Sequence, residues 1–214
     1  MGGREEQTSG TRRRLSVDER REELLQLGME LFSTRAYDDV WIEEIAARAG
    51  VSRGLLYHYF PTKRDFYVAV TRKAVAETVD LTAGDPSLPV DEQLRTSLDA
   101  FVRYAEEHAH GFLTAWRGAA ANDPEVRSIG AQSRERHISR ILEAIGGRAK
   151  TPTLLRLAVA AWVAFAQEAI AEWLEKRVST REALVALLAS TLERAIAAAR
   201  EIEDANAGAG PSLN

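Results

Sequence analysis

Between Trp41 and Lys63 the chain reads WIEEIAARAGVSRGLLYHYFPTK, and most of its polar chemistry is concentrated there. Arg53 carries a forked guanidinium that suits either a guanine edge or a phosphate. Tyr57 and Tyr59 offer phenol hydroxyls, His58 an imidazole and Lys63 an ammonium, all donors to phosphate oxygens. Gly54 permits close approach of a backbone, Leu55 can meet a thymine methyl, and Ser52 is a natural helix cap. Rings and cations at this density suit nucleic acid. Other chemistries lack their parts. The four histidines, His58, His108, His110 and His137, are scattered and no cysteine assists them, so no metal site is expected. Glu43-Glu44 and Glu106-Glu107 read as solvated helix faces. No phosphate loop, nucleophile elbow or metalloprotease helix is present, so neither an enzyme nor a cofactor is expected.

Groove-reading side chains need a rigid mount. Ile42, Ile45 and Ala46 fall on one face of a short helix, and Ala46 is small where a second helix must approach. Gly50 can take the positive φ that ends this helix and turns the chain. Val51 plugs the turn, Ser52 caps the next helix, and Leu56 and Phe60 point back into a core. The product is a helix-turn-helix whose second helix is presented to DNA.

The same stretch, with the residues ahead of it, resembles the DNA-binding domain of the TetR family of transcriptional regulators. The matching positions are Leu31-Phe32, Ala36-Tyr37, Ile45-Ala46, Gly50-Val51-Ser52, Tyr57-His58-Tyr59-Phe60 and Lys63. They agree in order and spacing over the first third of the chain. Ala36 stands where the family usually has glycine, and Trp41 where it has Ser or Thr. That hydroxyl caps the second helix and can bond a phosphate; Asp39 is the nearby substitute for the cap. The resemblance makes Tyr57 and Lys63 the leading phosphate contacts and places Trp41 at a DNA-facing position. It also implies a C-terminal helical domain that dimerises and holds a small-molecule pocket, and release of a palindromic operator when the pocket is filled.

The 214 residues allow one mid-sized domain or a small one with a larger one. Apolar content of 45% supplies a core, and 28% charged residues suit a water-facing surface. No uninterrupted apolar run reaches membrane-spanning length, and the N-terminus has no secretory core, so a cytoplasmic protein with no membrane partner is expected. Net charge is −4, from 28 basic and 32 acidic residues, so attraction to DNA must come from a local patch. Arg12, Arg13, Arg14, Arg48, Arg53, Lys63 and Arg64 are its candidates. The arm 1–15 either reaches phosphates and a minor groove or merely solubilises.

Helical patterning continues to the end, and the fold class is all-α. Ser16 with Glu19, and Ser179 with Glu182, read as capping boxes. The expected division is a basic arm 1–15, a three-helix helix-turn-helix domain 16–63, a helical ligand-binding and dimerisation domain 64–204, and a flexible tail 205–214. Phe101, Tyr104, Phe112, Trp116, Trp162 and Phe165 are the bulky groups able to line a pocket, with Arg103, Arg117, Gln167 and Glu168 able to orient its ligand. The last two helices are rich in alanine and leucine. Trp173, Leu184, Leu188, Leu192, Ala195 and Ile196 are candidates for a four-helix homodimer contact. The expected function is a repressor released from a palindromic DNA operator by a small-molecule effector. An activator or a ligand-independent regulator are the alternatives within that class. A helical carrier or enzyme with a vestigial helix-turn-helix is the alternative outside it.

Overall fold

A computed structural model describes residues 16–117, 122–146 and 152–208. The arm 1–15, the tail from 209 and the segments 118–121 and 147–151 lie outside the described residues. Within them the chain forms α1 (Val17–Phe32), a single 3₁₀ turn (Tyr37–Asp39), α2 (Ile42–Ala49), α3 (Arg53–Tyr59), α4 (Lys63–Leu81) and α5 (Val90–Glu107). It continues with α6 (Ala109–Arg117), α7 (Pro124–Ala144), α8 (Thr153–Lys176) and α9 (Arg181–Gly208). No strand occurs among the described residues.

Helix α1 opens with the expected capping box. Ser16 N–H donates to the Glu19 carboxylate at 2.8 Å, and Glu19 N–H donates to Ser16 Oγ at 3.1 Å. The helix buries Leu24, Leu25, Met29, Leu31 and Phe32, while Leu27 is half-buried. Gly28 lies where α4 crosses: a Cβ there would stand 2.5 Å from Val70 Cγ2 and 2.6 Å from Phe66 Cζ. Only a hydrogen fits.

Helix α2 has no side-chain cap. Asp39 does not supply one; its carbonyl accepts from Arg35 instead, and Arg35 also pairs with Glu44 at 2.6 Å. Glu43 and Glu44 in the first turn oppose the positive helix end in the missing hydroxyl's place. Gly50 closes α2 at φ 61°, and Val51 N–H donates back to Ala46 at 2.9 Å. Ser52 then caps α3, accepting from Leu55 N–H at 3.1 Å.

Two apolar cores result. The first holds α1, α2, Leu56, Phe60 and α4 through Phe66, Tyr67, Val68 and Val70. The second joins α5, α7, α8 and α9. Helix α7 belongs to both: Val126 and Ile129 are buried in the first core, Ile138 and Leu142 in the second. One continuous helix therefore joins the two cores.

Helix α8 is long and apolar enough to cross a membrane by composition alone, with mean hydropathy 1.5 over its best window. It packs instead as the central core helix, burying Leu155, Val159, Trp162, Val163, Ala166 and Ile170 among others. Its end is set by Arg177 in the left-handed region at φ 49°, a position glycine ordinarily fills. Thr180, not Ser179, caps α9 by accepting from Ala183 N–H at 3.2 Å. Ser179 Oγ donates to the Thr180 carbonyl at 3.4 Å instead of accepting from Glu182 N–H, so the second capping box does not form, and the Ser179 carbonyl accepts from Trp173 Nε1 at 2.8 Å. Helix α9 runs past Asp204 to Gly208.

Candidate nucleic-acid interface and effector cavity

Of the seven residues of α3 only Leu56 is buried, so the helix is anchored by one side chain and by Phe60 just beyond it. Arg53, Gly54, Leu55, Tyr57 and His58 are exposed, and so is Ser52 ahead of them. An exposed leucine and tyrosine on a short helix cost apolar hydration that a partner would remove. Trp41, at the start of α2, is 65% exposed. Tyr59 is half-buried, its ring 5.9 Å from His58 and 6.3 Å from Phe60, and belongs as much to the core's edge as to the surface.

The cations are not idle. Arg53 pairs with Glu43 at 2.8 Å and Arg48 with Glu44 at 3.2 Å. Lys63 Nζ sits 4.5 Å over the Tyr37 ring and 5.9 Å from the Trp41 ring, and reaches the Asp38 carbonyl at 3.4 Å. The tryptophan in the hydroxyl's usual place thus becomes a platform beside the lysine. Arg64 forks onto Asp123 at 2.6 and 2.9 Å. That guanidinium's hydrogen bonds, before any other cause, hold the Asp123 carboxyl down at about 2. Exposed pairs of this kind are worth little, so exchanging a carboxylate for a phosphate is a small step. Arg12, Arg13 and Arg14 lie outside the described residues.

The second core borders a cavity of about 890 Å³, open to solvent on one side, between α5, α7, α8, α9 and the 82–86 loop. That size suits a small organic ligand. Phe101, Trp162 and Gln167 line it, and Gln167 Oε1 is buried without a hydrogen-bond partner. Tyr104, Phe112, Trp116 and Phe165 do not line it. Tyr104 donates its hydroxyl to the Ala74 carbonyl of α4 at 3.4 Å, and Phe112 packs edge-on against Phe101 at 6.1 Å. Trp116 Nε1 donates to Glu168 at 3.0 Å, and Phe165 is 43% exposed. The aromatic spacing that marked them is that of core packing. Arg103 is exposed, and the Arg117 side chain lies outside the description.

Sequence reasoning missed His137 and Arg140, both on the cavity wall. Their spacing with Ile141 and Ala144 puts them on one face of α7, a signal hidden in a run that looks polar throughout. Burial first, and the neighbouring Arg140 second, push the His137 imidazole down to about 4, so it is neutral at pH 7. No cluster of acids and histidines suited to a metal ion occurs among the described residues.

The dimer candidates also shift. Trp173, Leu184, Leu188 and Leu192 are buried inside the protomer, and Ile196 lines the cavity; Ala195 alone is half-buried without such a role. The apolar groups that α8 and α9 turn outward are instead Leu157, Phe165, Leu187 and Ile202. They were hidden because helices this rich in alanine and leucine are apolar nearly all round, and periodicity cannot then choose a face.

A helix-turn-helix set on a helical domain with a cavity between its helices defines a one-component regulator architecture. The pattern of bacterial regulatory proteins of the tetR family matches residues 24–70, and that of the tetracyclin repressor-like C-terminal domain matches 90–194. The chain belongs to the TetR family of DNA-binding transcriptional regulators, which are not enzymes. A TetR-family regulator from Streptomyces coelicolor superposes with TM-score 0.83 at 29% identity, covering 90% of this chain and 87% of that one. The transcriptional activator FasR of Mycolicibacterium smegmatis is 33% identical over 128 residues, 58% of each chain. The transcriptional regulator AcuR of Cereibacter sphaeroides is 35% identical over 94 residues, 42% of this chain and 41% of that one. The chain thus spans well under two thirds of these two relatives.

Proposed function

We propose that this protein is a homodimeric, sequence-specific regulator, acting in the cytoplasm, that occupies a palindromic operator and is released when a small molecule fills the cavity. The observation that carries the DNA half is α3 itself: a capped helix with one buried side chain and a surface of arginine, tyrosine, histidine and leucine. In this reading Arg53, Gly54, Leu55 and His58 face base edges, while Trp41, Ser52, Tyr57, Tyr59 and Lys63 hold the backbone. A second copy covers Leu157, Phe165, Leu187 and Ile202, and sets two α3 helices about one DNA turn apart. The cavity supports the effector half, because a ligand that favours one arrangement of α7 shifts the population of DNA-competent dimers. Repression follows where the operator overlaps a promoter. An activator is the second reading, favoured by the activator named among its relatives.

The test is capture of DNA by the purified full chain from a random pool at moderate salt, followed by sequencing. Enrichment of one inverted repeat is the expected result. Retention without any shared sequence would overturn the specific-reader proposal.

A further inference from the structure

Among the described residues lining the cavity Arg140 is the one lysine or arginine, and its charge is not spent on a carboxylate. Its Nη1 donates to the Val79 carbonyl and, at 3.5 Å, approaches Thr82 Oγ1. Both belong to the end of α4, where the helix dipole is negative and carbonyls lack partners in the helix. Val79 and Arg140 thus tie the middle of the effector domain to the helix that carries the DNA-binding core. The other end of the same two helices is tied as well, by Arg64 to Asp123 and by Arg72 to Glu125 at 3.1 Å. Helix α7 therefore grips α4 twice, and one of the two grips faces the cavity.

Around Arg140 the wall is mainly apolar, with Leu94, Leu98, Ile141 and Val163 among its members. The carboxylates on the rim, Asp91, Glu143 and Glu193, are exposed and solvated. They disfavour a multiply charged ligand but leave a singly charged head group able to reach the arginine. His137 beside it is neutral and does not compete for an anion.

Resting on the effector reading above, we propose that the cavity takes an amphiphile with a single carboxylate head, and that Arg140 is both its receptor and the link to α4. A carboxylate accepts two parallel N–H bonds from a guanidinium, a stronger pairing than one peptide carbonyl offers. The head group thereby draws Arg140 off Val79 and releases the end of α4 from α7. Because linkage is reciprocal, DNA that holds α4 in place weakens the ligand by the same factor.

The experiment is calorimetric titration of the full chain with decanoate, decanol and decyltrimethylammonium, with operator release followed in parallel by fluorescence anisotropy. Decanoate is expected to bind about tenfold or more tighter than decanol, with the ammonium weakest, from the worth of a charged hydrogen bond. Arg140→Gln should bind decanol as before and lose the preference for decanoate, while Arg140→Lys keeps part of it. Decanoate should release the operator from the native chain and fail to do so from Arg140→Gln. Equal binding of decanoate and decanol by the native chain would overturn the proposal, as would a preference that survives Arg140→Gln. The native chain's ranking of the three probes decides even if the glutamine variant does not fold. Decanol and the ammonium binding and releasing DNA as well as decanoate would sink this proposal alone. No probe binding to a chain that holds its operator would sink the effector reading with it.

Discussion

Arg64, in the first turn of α4, and Asp123, the cap of α7, form a forked ion pair that joins the DNA-binding core to the effector domain across 59 residues of sequence. Asp123 also accepts from Glu125 N–H at 2.8 Å, so one carboxylate starts a helix and holds a guanidinium. Asp123→Asn keeps the cap and removes the charge. The expected outcome is operator binding a few-fold tighter, because Arg64 becomes available to a phosphate, with helix content unchanged. Anisotropy titrations with circular dichroism check both. The pair also sets an acid limit: its contribution is full above the ordinary carboxylate value of 3.8 and is lost as pH falls through about 2.

Gly28 makes the crossing of α1 and α4 possible. Gly28→Ala puts a methyl within 2.6 Å of Phe66 and Val70, both buried. The better helix propensity of alanine does not offset that overlap, and the net cost is about 1–3 kcal/mol. A denaturation midpoint shifted down without a change in slope is the expected measurement.

His137 predicts a pH dependence of its own. The unfolded chain takes up this proton near 6.5 and the folded chain only near 4. Between those values the unfolded state binds more protons, so stability is intact above 6.5 and is lost as pH falls towards 4, by up to about 3 kcal/mol. His137→Gln should flatten the stability profile in that window, measured by urea denaturation at a series of pH values.

The outward apolar groups of α8 and α9 predict the assembly. Phe165→Glu with Leu187→Glu should give a monomer in sedimentation equilibrium where the native chain gives a dimer. Leu188→Ala, by contrast, removes buried volume inside the protomer and should lower its stability by about 2–5 kcal/mol.

What was legible in the sequence was local. Ser16 with Glu19, Gly50, Ser52 and the pair Leu56 and Phe60 each declare a cap, a turn or an anchor within a few residues, and each forms as expected. The cavity was half legible. Phe101 and Trp162 line it, but Phe112 with the same residue type and similar spacing packs behind, because a helix pattern marks the inward face and not which inward groups meet a void. Arg140 and Arg64 were not legible in their roles. Their partners lie 58 to 61 and 59 residues away, and only the packing of α7 along α4 brings them together.

The reading surface is tested by the affinity of the chain for its captured palindrome at low and moderate salt, beside a variant carrying Arg53→Ala and Lys63→Ala. Tight binding that weakens steeply with salt is expected of the native chain, and in the variant loss of sequence preference with a shallower salt slope, by about one unit per phosphate contact removed. A variant that holds the same palindrome with the same affinity and slope would show that α3 and the start of α4 are not the reading surface.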